Sequence, residues 1–210
     1  MSVTYLLRHG RTRLSAAHIA NGDPSTAVPL DHVGTVQCRR VARSPWTTSI
    51  ESCVVSQFTR TRQTAELILG EPAPPMLVEP AFNEIKYGYF EGTPWMIYGR
   101  WLRQAGPAAQ PPGGGESRRE AVRRLLGGLA CCLSAPGPRL VVDHGLMISV
   151  VLQLLHGEPI DAWDLPEAPY ARPIPIDDFR LRRIVRDELG RIAAAPDALA
   201  AQDQHRTGLT

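Results

Sequence analysis

Lysine is almost missing from this sequence: Lys86 is the only one among 23 basic residues, and the formal net charge is +2 over 210 residues. So small an excess gives no general case for nucleic acid or an anionic membrane as a partner. No apolar run approaches the roughly 18 residues that a membrane span needs. The first apolar run, Val3–Leu7, is too short for the hydrophobic part of a secretory signal and runs straight into Arg8. The four cysteines, Cys38, Cys53, Cys131 and Cys132, show no CxxC spacing. They read as small core residues kept reduced, which points to a cytoplasmic protein. What remains is an ordinary globular composition, 43% hydrophobic and 21% charged, on a chain long enough for one sizeable core.

Short apolar runs alternate with helical stretches. Val3–Leu7 and Arg139–Val142 read as strands buried on both faces, with Ser52–Ser56 and Met76–Val78 as shorter strands. Asp31 is a candidate N-cap for a helix over His32–Ala42, whose apolar side is Val33, Val36 and Val41. Helices are also expected over Thr59–Leu69, closed by Gly70 and Pro72, over Pro94–Gln104 and over Leu146–Leu155. Ser117 and Glu120 have the capping-box spacing ahead of a helix over Ala121–Leu133. The alternation predicts a single α/β domain of three layers over residues 1–195, a mostly parallel central sheet with helices on both faces. Residues 105–116 read as a flexible Pro/Gly loop within it, and Pro159–Pro175 as irregular. Phe179–Arg186 and Arg191–Ala194 read as a terminal hairpin around Asp187–Gly190, followed by a disordered tail over 196–210.

In open α/β sheets, ligands bind beyond the carboxyl ends of the strands. Three predicted strands end in chemically capable residues: Arg8-His9-Gly10, then Ser56 with Arg60 following, then His144-Gly145. Two histidines and two arginines therefore fall on one rim, where Gly10 lets the backbone approach a ligand closely. A guanidinium suits phosphate, which it grips through two parallel hydrogen bonds.

Taken together, these segments resemble the histidine phosphatase superfamily, also called the phosphoglycerate mutase-like family. LLRHGRT (Leu6–Thr12) matches its signature. VPLDHVGTVQCRRVA (Val28–Ala42), SQFTRTRQTAELI (Ser56–Ile68), FNEIKYGYFEG (Phe82–Gly92), GGESRREAVRRLL (Gly114–Leu126) and VVDHG (Val141–Gly145) are similar to its further segments, in the same order. DELGRI (Asp187–Ile192) resembles its closing hairpin. The resemblance implies a covalent phosphohistidine on His9, with Arg8, Arg60 and His144 gripping phosphate and His144 serving best as a cation stabilised by the phosphate it binds. It implies Glu84 as proton donor to the leaving oxygen, with Glu91 structural. Ser15, Gly145 and Tyr87 are further candidates for phosphate and substrate contacts. No metal or organic cofactor is implied, because the arginines and His144 supply the positive charge. His18, His32, His156 and His205 are scattered and read as surface or helix-end residues.

This chain also departs from the family pattern. Ser15 stands where the family often has a phosphate-binding asparagine, and Asn21 is near but does not align simply. Asp143 precedes the second histidine, where serine, threonine or alanine is usual; strand alternation turns it away from His144. The stretch from Gly22 to Pro29 is slightly longer than the common spacing. The implied activity is a metal-independent phosphomonoesterase of the histidine acid phosphatase type, acting on a small phosphorylated metabolite. A phosphoryl-transferring mutase is the alternative, favoured by Asn83-Glu84 with Tyr87-Gly88 and by Arg118-Arg119 as a carboxylate site; the short span from Glu84 to Ser117 favours the phosphatase. A catalytically idle phosphate-binding member is the non-enzyme alternative, with Ser15 and Asp143 as its support. Trp95, Tyr98, Arg100 and Trp101 form a candidate substrate cover suited to a ring-bearing or acidic phosphomonoester. Helix faces leave the oligomeric state open, a homodimer included.

Overall fold

The four apolar runs become β1 (Val3–Arg8), β2 (Ser52–Val55), β3 (Met76–Val78) and β4 (Arg139–Asp143). The computed structural model describes residues 2–158, 160 and 165–194. In these residues the four strands run parallel, and β5 (Ile174–Asp177) adds antiparallel to β1 at one edge, giving the order β3-β2-β4-β1-β5. The expected tail over 196–210 and part of the expected irregular stretch after His156 lie outside the described residues.

Register decides which residues share a face. Leu6 aligns with Val141 and Val141 with Val54; Leu7 aligns with Val142 and Val142 with Val55. Because side chains alternate along a strand, these two rows start two cores. Against the first row pack α4 (Trp95–Ala105), α5 (Arg118–Cys132), α6 (Gly145–His156) and α7 (Asp178–Ala194), through residues such as Tyr98, Leu125, Met147 and Leu181. Against the second pack α2 (His32–Val41) and α3 (Thr59–Leu69), through Cys38, Val41, Ala65 and Ile68. The three-layer α/β architecture follows from this division. Among the described residues no disulfide forms, and no helix is long and apolar enough to cross a membrane.

Local signals act as their chemistry predicts at several helix ends. Asp31 caps α2 by accepting from the Gly34 amide at 2.7 Å. Ser117 and Glu120 close a reciprocal capping box at the start of α5. Gly70 (φ +65) ends α3, and Gly157 (φ +77) ends α6 in the left-handed region that suits glycine. A short helix, α1 (Arg13–Ala16), follows β1.

Two expectations fail. The terminal hairpin is instead the single helix α7, and the terminal strand, β5, lies just before it. Leu181, Ile184, Val185, Leu189 and Ile192 recur at helical spacing and pack on the first core, which decides against strands. In α2 the buried residues are Gly34, Cys38 and Val41, whereas Val33 and Val36 are exposed. Gly34 and Cys38 face inward because α2 lies close against Gly10 and Arg11, the chain leaving β1.

Candidate active site

β2, β4 and β1 are neighbours and parallel, so their carboxyl ends come together. They bring His9, Ser56 and His144 to one rim, and the first turn of α3 adds Arg60. The imidazoles of His9 and His144 lie 5.3 Å apart, centroid to centroid, and both are buried. Arg60 sits between them, only 4% exposed. Its Nε donates to His9 Nε2 (3.1 Å), its Nη2 approaches His144 Nδ1 (3.0 Å), and its Nη1 donates to Asn21 Oδ1 (2.6 Å). The guanidinium also lies 4.0 Å above the Phe58 ring. Burial lowers the Arg60 pKa to about 10, which still leaves it charged near neutrality.

Hydrogen bonds fix both imidazole tautomers. His9 Nδ1 is 2.7 Å from the Gly10 carbonyl, which can only accept. The proton is therefore on Nδ1, and Nε2 keeps its lone pair toward Arg60. His144 Nδ1 faces the donors of Arg60, so its proton sits on Nε2, 2.9 Å from Ser56 Oγ. Ser56 Oγ also accepts from the Phe58 amide and bonds to Thr61 Oγ1. Burial, then the charge of Arg60, hold both histidines well below the ordinary pKa of 6.5. Burial thus favours the neutral form of His144 in the ligand-free site, and a bound dianion is what would charge it.

Gly10 has a different task from the one expected. A Cβ at Gly10 would stand 2.8 Å from Cys38 Sγ and 2.9 Å from the Gly34 carbonyl, both in α2. The glycine admits a helix rather than a ligand. The Gly10 amide donates to Thr64 Oγ1 (3.0 Å), tying the loop after β1 to α3.

Glu84 lines the same cavity as Arg8, His9 and Arg60, a space of about 230 Å³. Its Oε1 accepts from the Ile85 amide at 3.0 Å, and burial is the main cause of its raised pKa. The backbone around it is clamped. Arg124 Nη1 donates to the carbonyls of Ala81 (2.7 Å) and Asn83 (2.9 Å), while its other edge pairs with both oxygens of Glu116. Glu91 accepts twice from the Gly22 amide, at 2.8 and 3.0 Å, and so holds the loop that presents Asn21 to Arg60.

The remaining candidates divide. Ser15, Tyr87 and Gly145 line the cavity. Ser15 Oγ, however, is engaged with the backbone of Thr12 in the cap of α1. Asn21 reaches Arg60 instead; the sequence offered only its nearness as a signal. Trp95, Tyr98 and Arg118 line the cavity, whereas Arg100, Trp101 and Arg119 are not among its walls. Asp143 is buried behind the site, where its Oδ1 accepts from the His144 amide and burial raises its pKa well above the usual range. Three residues around Arg8 carried no sequence signal. Arg8 Nη1 donates to the Ala168 carbonyl (2.6 Å) and to Glu167 Oε1 (3.1 Å), and its guanidinium lies 3.8 Å above the Tyr170 ring. Among the described residues no cluster of three or more His, Cys, Asp or Glu is arranged to hold a metal ion.

A buried pair of imidazoles bridged by a guanidinium, at the carboxyl rim of a doubly covered, mostly parallel sheet, has the chemistry to receive a compact anion. Residues 4–173 match the histidine phosphatase superfamily (branch 1), and the chain belongs to that family. It is 31% identical over 170 residues, 77% of this chain and 78% of the other, to a protein of Yersinia pestis (strain Pestoides F) named "Probable phosphoglycerate mutase GpmB". The alpha-ribazole phosphatase of Shigella flexneri shares the fold with a TM-score of 0.69 at 22% identity, over 83% of this chain and 90% of that one. A mycobacterial glucosyl-3-phosphoglycerate phosphatase, solved with VO3, does so at 0.67 and 23%, over 84% and 93%.

Proposed function

We propose that this chain hydrolyses a small phosphomonoester through a phosphohistidine at His9. The observation that carries the reading is the Nδ1–H of His9 held by the Gly10 carbonyl, which leaves the Nε2 lone pair facing the cavity. In the first step Nε2 attacks phosphorus, the bond from phosphorus to the ester oxygen breaks, and Glu84 gives its proton to that oxygen. In the second, water attacks the phosphohistidine, Glu84 takes back a proton, and orthophosphate leaves with His9 restored. Arg60 already donates to Nε2, so it moves its hydrogen bond to a phosphoryl oxygen as attack begins. Arg8 and His144 take further oxygens, and His144 accepts a proton as the dianion binds. The raised pKa of Glu84 favours its acid form, as a proton donor requires. Two fold neighbours named as phosphatases support the reading. The Yersinia relative's name and the place of Arg118 on the cavity wall favour a second reading, a mutase.

The deciding assay uses an aryl phosphate and an alkyl phosphate in EDTA, with wild type, His9→Ala and Glu84→Gln. Wild type should turn over and give acid-labile phosphoprotein, and His9→Ala should do neither. Glu84→Gln should lose more on the alkyl ester, the poorer leaving group. Turnover surviving His9→Ala, or abolished by EDTA, would overturn the proposal. Transfer of phosphate to a second alcohol in place of water would mark the mutase.

A further inference from the structure

Among the described residues, the Arg8 side chain is held from one side. The segment around Ala168 takes its Nη1, and Tyr170 underlies the guanidinium while its own hydroxyl donates to the Ser15 carbonyl at 3.2 Å. Arg8 Nε is buried and finds no hydrogen-bond partner among the described residues. Gly145 keeps that edge open, since even a Cβ there would come to 3.4 Å from Arg8 Cζ and 3.5 Å from Nε. One edge of the guanidinium therefore awaits an anion, and the other already carries one. Glu167 Oε1 stands 3.1 Å from Nη1, with its side chain 60% exposed on the cavity wall.

Two anions that share one guanidinium lie well within a Debye length, roughly 8–10 Å, so each weakens the hold on the other. We propose that Glu167 is a charge gate: its carboxylate competes with the phosphoryl group for Arg8, loosens the grip on orthophosphate, and disfavours substrates whose leaving group brings a second anion to this side of the mouth. The substrate class is then a phosphomonoester of an alcohol that is uncharged or cationic where it passes Glu167. Any carboxylate it carries belongs near Arg118, the cation at the start of α5 that lines the cavity with Tyr87 and Tyr98. A loosened grip on orthophosphate speeds product release, and a penalty on bisphosphates works against a mutase cycle. The inference rests on the phosphatase reading of the site.

The test uses the full chain as wild type, Glu167→Gln and Glu167→Ala. Calorimetric binding of orthophosphate and orthovanadate is measured at low and high salt, and kcat/KM is measured for a sugar bisphosphate and its matching monophosphate. Glu167→Gln keeps an acceptor for Arg8 and removes only the charge. It should tighten orthophosphate by roughly two- to fivefold at low salt, with the gain shrinking at high salt, as for an exposed ion pair. It should also raise the bisphosphate-to-monophosphate ratio, and Glu167→Ala should shift both in the same direction. Unchanged or weaker orthophosphate binding in both variants overturns the gate and makes Glu167 a brace for Arg8. A wild type that binds neither anion and hydrolyses nothing removes the phosphate site first, and the gate with it.

Discussion

Replacing Gly34 by alanine sets two physical effects against each other. Gly34 is the third residue of α2, and alanine is a better helix former than glycine by up to about 1 kcal/mol. Its neighbour forbids the gain. A Cβ at Gly34 would stand 2.1 Å from the Arg11 carbonyl oxygen and 2.7 Å from the Arg11 nitrogen. Ordinary contact begins at 3.4 Å, so the backbone would have to withdraw by 1.3 Å (3.4 less 2.1). The Arg11 carbonyl accepts from the Asp31 amide (3.0 Å), and the Arg11 amide donates to Gln37 (3.1 Å). Overpacking costs about 1–3 kcal/mol, and each loosened hydrogen bond adds about 1. The net expectation is a loss of about 2–4 kcal/mol, read as a lower urea midpoint with an unchanged slope. Because Arg11 adjoins Gly10, whose carbonyl orients His9, the turnover number should fall as well. A Gly34→Ala protein more stable than wild type, as helix propensity alone would give, refutes the close-approach argument.

Arg124→Met removes the clamp from the segment carrying Glu84 and leaves Glu116 and two carbonyls without their donor, at a cost of about 2–3 kcal/mol. It should slow alkyl phosphates more than aryl phosphates, and an equal loss on both, at matched folding, would separate Arg124 from the placement of Glu84. His9 and His144 have folded pKa values below 6.5, so below that pH the unfolded chain takes up protons that the folded chain refuses. Each histidine therefore lowers stability as pH falls, by at most about 1.4 kcal/mol per pH unit. Asp143 and Glu84 act in the opposite sense: their raised folded pKa values favour the folded state as pH falls toward their unfolded values. Removing one histidine by His144→Asn should flatten the acid-side loss in urea midpoints between about pH 7 and pH 5; parallel curves for the two proteins would mean that His144 is not buried neutral.

Legibility in this sequence followed distance along the chain. β3 and α3 fall on the predicted residues, and Asp31 and Ser117 cap the helices expected of them, because each signal is complete within a few residues. α7 was misread because Asp187-Glu188-Leu189-Gly190 looks like a turn when taken alone. The spacing of Leu181, Val185 and Ile192 over a longer window shows the helix that packs on α5. β5 was hidden by Pro175, which a central strand would not accept but an edge strand does.

The site divides along the same line. Arg8, His9 and His144 were legible because strand ends place them, and Arg60 because it opens the helix that follows β2; each is a local event. Asn21, Glu167 and Tyr170 carry no motif, and they reach Arg60 or Arg8 only through the fold: Glu167 lies 159 residues from its partner and Asn21 lies 39 from its own. The groups proposed to hold phosphate are therefore set by the sheet and by the first turn of α3 beside it. The groups that contact Arg60 and Arg8 from elsewhere come from loops outside the sheet, the part of a fold in which residues vary while the strands stay undisturbed.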